Sequence, residues 1–159
     1  MLVVRLHPEL LAAEKLPPGR LAKHLWTHRF DDINAFERHL WRNGTIIRKF
    51  FLHLSHREQS RRLLARLDDP AKNWKFSSAD VVERAKWRAY QRAYADAIAA
   101  TSRPHAPWYI VPADRKWFTA AVVADVIIEA LEGLDLSYPP LTPAQRRDLR
   151  AARRRLVRQ

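Results

Sequence analysis

A chain of 159 residues, 47% of them apolar, is long enough to fold around one core and too apolar to be disordered through its bulk. Its net charge of +12 calls for anionic partners, and the lack of cysteine excludes disulfides, thiolate metal sites and thiol nucleophiles. No apolar run is long enough to span a bilayer and no basic-then-apolar leader opens the sequence. A reducing cytoplasm, with no membrane partner, is therefore the expected location.

In chain order, residues 1–7 read as a short extended segment, a third strand if it pairs. Pro8 and the run Pro17-Pro18-Gly19 bracket and end a small Leu/Ala-rich piece. Trp26, Phe30, Ile33, Phe36 and Leu40 recur at steps of three and four, predicting a helix over 25–42 with Gly44 at its C-cap. Residues 45–54, rich in β-branched and aromatic side chains, predict a buried strand. Ser55 and Glu58 have capping-box spacing and open a helix to about Leu67, which Asp68-Asp69-Pro70 stops.

Ser77 then caps a single helix to about Thr101, and residues 108–111 form a second strand. Asp114 reads as the N-cap of a helix ending near Gly133. Thr142-Pro143 opens a tail helix carrying Arg146, Arg147, Arg150, Arg153, Arg154, Arg155 and Arg158 against one acid, Asp148. Strands separated by helices predict an α/β fold with a partial parallel sheet of two to three strands. Two parallel strands are not self-sufficient, so on physics alone this is part of a domain.

The densest chemistry surrounds the loop after Leu67. Arg62 and Arg66 precede it, Lys72 and Lys75 lie within it, and Trp74 stands between as an anchor. Guanidinium forks take phosphate oxygens two at a time and lysines add mobile point charges, so the cluster suits a polyanion. The same residues also suit a helix end whose dipole is offset by cations.

His24 and His28, four apart, lack a third metal ligand at useful spacing and read as solvated or phosphate-facing; no metal residue is assigned. His53 reads as a sheet histidine, and Asn34 with Glu37 as surface polarity, or else a brace for a neighbouring loop. Six tryptophans are scattered, favouring packing over a base-stacking platform. The tail helix suits RNA, an acidic membrane or nothing specific.

Five blocks in order carry a resemblance. They are Leu2-Val-Val-Arg-Leu-His7; Arg29-Phe-Asp-Asp-Ile-Asn-Ala-Phe-Glu37; Gly44-Thr-Ile-Ile-Arg-Lys-Phe-Phe-Leu-His-Leu-Ser55; Arg66-Leu-Asp-Asp-Pro-Ala-Lys-Asn-Trp-Lys-Phe-Ser77; and residues 105–118. Together they resemble the polyphosphate kinase 2 family over about residues 2–139. The resemblance implies a P-loop-kinase-like α/β fold and magnesium-dependent phosphoryl transfer between inorganic polyphosphate and nucleoside mono- or diphosphates. It implies a helical lid over about 56–101, with Arg62, Arg66, Lys72 and Lys75 as its phosphate-binding cations and Trp74, Ser77 and Asp80 in support.

The family's glycine-rich phosphate loop and acidic strand motif precede the block matching Leu2, so the ligands for magnesium are not expected in this chain. Arg88-Ala89 stands where the family has an acidic pair, and Arg48 falls in a strand usually apolar there. Residues 1–140 are accordingly expected to be the C-terminal, lid-bearing part of such a kinase, with 141–159 a basic tail. Such a part would be inactive alone, and would pair with an N-terminal half or a second copy. The alternative is a non-catalytic basic module that binds polyphosphate or RNA.

Overall fold

The computed structural model describes residues 2–14 and 24–158, and it divides into two units, Met1–Ile127 and Ile128–Gln159. The larger unit is built on β1 (Lys49–His53) and β2 (Trp108–Pro112). These strands pair in parallel, with Lys49 opposite Trp108 and His53 opposite Pro112. Their aromatic content suits a pleated surface: Phe50 stacks on its cross-strand partner Tyr109 at 5.5 Å. Helices α1 (Leu2–Leu6), α2 (Leu25–Arg42), α3 (His56–Leu67), α4 (Ser78–Arg84), α5 (Trp87–Thr101) and α6 (Lys116–Glu132) accompany the strands, and α7 (Pro143–Val157) belongs to the smaller unit. The fold is α/β, mostly helical, with a two-stranded parallel sheet.

Helix α2 ends as its sequence predicts. Gly44 has φ +89°, its N–H donates to Trp41 and that of Thr45 donates to Leu40. This is the paired C-terminal closure that favours glycine. At the start of α3, Ser55 Oγ accepts the Glu58 N–H at 3.1 Å. Tyr94 of α5 packs its ring 4.6 Å from Phe51 and seats the sheet on that helix.

Four expectations are corrected. Residues 2–6 form α1 rather than a strand. This segment has no strand partner and instead packs on α5, where Arg5 donates to Asp96 at 2.7 Å. Residues 45–48 stay outside the ladder, because the chain before β2 bridges to itself, Arg103 to Ala106. The helix expected over 78–101 is broken at Ala85-Lys86, where the N–H groups reach back to Val82 and Glu83 in tight three-residue turns. Asp114 does not cap α6: its carboxylate accepts the Ser55 N–H at 2.7 Å, tying the two strand ends together. The stop at Pro17-Pro18-Gly19 lies outside the described residues.

A polar knot joins α2, β1, α5 and β2, so Asn34 and Glu37 are braces and not surface polarity. Lys49 Nζ donates to Glu37 (2.6 Å) and to the Thr101 carbonyl (2.7 Å). Trp108 Nε1 donates to Thr101 Oγ1, and Asn34, 6% exposed, donates to the Ala100 carbonyl. In the smaller unit, Thr142 and Gln145 form a reciprocal capping box that starts α7.

Candidate functional site

Beyond the carboxyl end of β1, helices α3, α4 and α5 enclose a cavity of about 460 Å³. Arg62, Arg66 and Arg84 line it, with Asp80, Glu83 and Tyr90 among the other wall residues. Both α3 arginines lie on one face, at i and i+4, and so project together.

The three guanidiniums differ in how firmly they are held. Arg62 donates Nε to Glu58 (2.8 Å) and Nη2 to the carbonyls of Ala113 (2.8 Å) and Asp114 (3.2 Å). It is a clamp between α3 and the loop after β2. Among the described residues the Arg66 guanidinium pairs only with Asp80, at 4.0 Å, with both side chains over 40% exposed. Such a pair contributes about 0–1 kcal/mol, so Arg66 can be redirected at little cost. Arg84 donates to the His56 carbonyl (2.8 Å) and Gln59 Oε1 (2.7 Å), neutral partners that orient it and leave its charge unopposed. Arg84 is the functional candidate that the sequence reading missed; there it falls within the single helix expected to about Thr101, and nothing marks it out.

The carboxylates nearby are engaged. Glu83 accepts from His7 (3.0 Å), Tyr90 (2.8 Å) and Lys86 (3.2 Å). These bonds, His7 foremost and then Tyr90, hold its pKa down to about 2, while burial and Glu83 push Tyr90 up to about 12. Glu58 is likewise lowered to about 2 by Arg61 and then Arg62.

Lys72 and Lys75 are not among the residues lining the cavity. Lys72 pairs with Asp69, and Lys75 Nζ lies 4.9 Å over the ring of Trp74. Trp74 is 78% exposed, and its Nε1 donates to the Ala71 carbonyl at 3.1 Å. Asn73 does the holding: its amide donates to the carbonyls of Arg66 (2.8 Å) and Leu67 (2.9 Å) and closes the end of α3. Ser77 caps α4 through the Ala79 N–H.

His24 and His28 sit with ring centroids 6.1 Å apart. Among the described residues no three His, Asp or Glu side chains gather so as to hold a metal ion. The described residues do not fit a resident magnesium. His53 is exposed and stacks on Phe51.

A family model described as Polyphosphate kinase 2 matches residues 18–138, most of the chain. The chain belongs to the polyphosphate kinase 2 family. An ADP-polyphosphate phosphotransferase of Rhodopseudomonas palustris is 48% identical over 158 residues, 99% of this chain and 55% of that protein. A Leptolyngbya boryana protein named for the chlN 3' region is 46% identical over 130 residues, 82% of this chain and 96% of that one. The crystal structure of Polyphosphate Kinase 2 from Arthrobacter aurescens TC1 superposes with a TM-score of 0.73 at 43% identity, covering 79% of this chain and 46% of that one. The chain thus spans about half the length of the Rhodopseudomonas and Arthrobacter relatives. Among the described residues, no helix of this polyphosphate kinase 2 chain is long and apolar enough to cross a membrane.

Proposed function

We propose that this chain is the phosphate-covering part of a polyphosphate–nucleotide phosphotransferase, with residues 56–101 as a lid over the anhydride chain. The observation that carries the reading is the convergence of Arg62, Arg66 and Arg84 on one cavity of a polyphosphate kinase 2 fold. In such a transfer a terminal phosphorus leaves one bridging oxygen and is taken by a phosphate oxygen of a nucleoside mono- or diphosphate, with no redox change. The protein's task is to align the oxygens and neutralise their charge. Arg84 supplies an unopposed charge, Arg66 swings from Asp80 to phosphate, and Arg62 keeps α3 in register. Lys72 and Lys75, on the loop beside Trp74, approach when the lid closes.

The reading is of a part that works with more polypeptide, an N-terminal half or a second copy, in the cytoplasm. The test is binding of polyphosphate to the purified chain. Arg66→Gln should weaken it about tenfold, or about 1.4 kcal/mol, and an unchanged affinity would defeat the lid assignment. ATP formation from polyphosphate, ADP and magnesium by this chain alone would defeat the reading as a part.

One observation favours a second reading. Helix α7 carries six arginines against one acid, Arg158 follows it, and the whole segment lies outside the family match. A basic module that adsorbs polyphosphate or RNA through this tail would lose binding on deletion of residues 141–159 and be indifferent to Arg66→Gln.

A further inference from the structure

Behind the lid cavity lies a second one, of about 530 Å³, between the first residue of α3, the α4–α5 turn and the first turns of α5. His56, Arg84, Lys86, Trp87, Arg88 and Arg92 line it, with alanines filling the remainder, and no carboxylate is among its walls. Arg88 and Arg92 stand four apart on one face of α5, a like-charged pair that destabilises a helix unless an anion lies between them. Neither has an ion-pair partner among the described residues. Lys86 is shared with Glu83 and His7, so Arg84, Arg88 and Arg92 supply the unopposed charge.

Two further observations choose the ligand. Arg84 and Trp87 line both cavities, so the two share a wall. The His56 and Trp87 rings pack on each other at 5.0 Å and 56°, leaving no slot between them for a base. The walls also offer no carboxylate to accept from ribose hydroxyls. Such a pocket recognises phosphate oxygens and nothing else of a nucleotide.

We propose that this second pocket holds distal phosphates of the same polyphosphate chain whose reacting end occupies the lid cavity. The proposal rests on the lid reading and adds a length requirement: the site favours polymers over short oligophosphates, because only a long chain crosses the wall at Arg84.

The test uses the full chain and the double variant Arg88→Gln/Arg92→Gln. Both positions are exposed, and glutamine keeps the helix; an unchanged circular dichroism spectrum checks the fold. Long-chain polyphosphate should bind the variant roughly tenfold more weakly, with a salt slope lower by roughly 1.4 for two lost phosphate contacts. Tripolyphosphate should bind it as it binds the wild type. Arg88→Lys/Arg92→Lys, which keeps the charge, should recover most of the loss. Equal losses for both ligands, no loss for either, or weakened binding of ADP used alone would each overturn the proposal. Arg66→Gln is the separate control: it should weaken long and short ligands alike, and no effect there defeats the lid reading without touching the length dependence.

Discussion

Lys49 shows how one side chain can hold four elements. Its side chain is 13% exposed and that of Glu37 beside it 12%, and the Thr101 carbonyl takes a second hydrogen bond from the ammonium. Replacing Lys49 with Met would leave Glu37 charged and unpaired in a half-closed site, a change that costs about 3 kcal/mol. Urea denaturation of the variant should show a lowered midpoint at unchanged slope. Gly44 is a smaller case: a Cβ there would meet nothing within 4 Å, so Gly44→Ala should cost only the left-handed strain, about 1 kcal/mol.

The glycine was legible from its place after an apolar stripe. The lysine was not, because nothing in the sequence says which carbonyl 52 residues away will face an ammonium. Arg84 was hidden for the same reason. A cation inside an expected helix looks alike whether it faces solvent or points into a cavity, and only the fold of α4 against α3 distinguishes them.

At the scale of elements, the joint between α1 and the α4–α5 turn is held by charge. Glu83 sits near pH 2 through His7, Tyr90 and Lys86, and His7 is raised above its ordinary 6.5 by Glu83 and then Glu9. A lowered carboxylate stabilises the fold above its unfolded value of 4.5, and that gain is lost as pH falls toward 2. A raised imidazole stabilises it below 6.5, and that gain is lost as pH rises through the higher folded value. The His7–Glu83 contact is thus strongest between about 4.5 and 6.5. Thermal unfolding of Glu83→Gln against wild type should differ most in that window. A difference independent of pH would show the contact to be uncharged. Glu58, lowered by Arg61 and Arg62, adds to the acid limb.

Most helices were readable from caps and period: α2, α3 and α7 begin or end at the residues their sequences nominate. The break in the 78–101 helix carried no signal, as Ala85 and Lys86 are both good helix formers. The side-chain ties of Lys86 to His7 and Glu83 accompany it. Likewise Leu2–Leu6 had the composition of a strand but no neighbour to pair with, and tertiary packing overrode propensity.

At the scale of the molecule, the notable quantity is how little of the described residues is buried. Among the described residues the buried apolar ones are Ala93, Ala97, Ala106, Ala113, Val111 and Val126, and Val111 is the largest side chain fully enclosed. Meanwhile Leu52 and Ile110 of the two strands are 50% and 60% exposed, and Trp117 68%. Apolar surface left open on a narrow sheet favours association. The purified chain should bind a hydrophobic dye and scatter light as more than a monomer. A monomeric mass with no dye uptake would contradict this.

A cover that swings as a rod needs few joints, and the interruption at Ala85-Lys86 offers one of two residues. Deuterium should therefore enter the amides of that seam sooner than those of the helices on either side, and more slowly once polyphosphate is added. Uniform uptake from residue 78 to residue 101 would instead describe a single stiff rod with no place to bend.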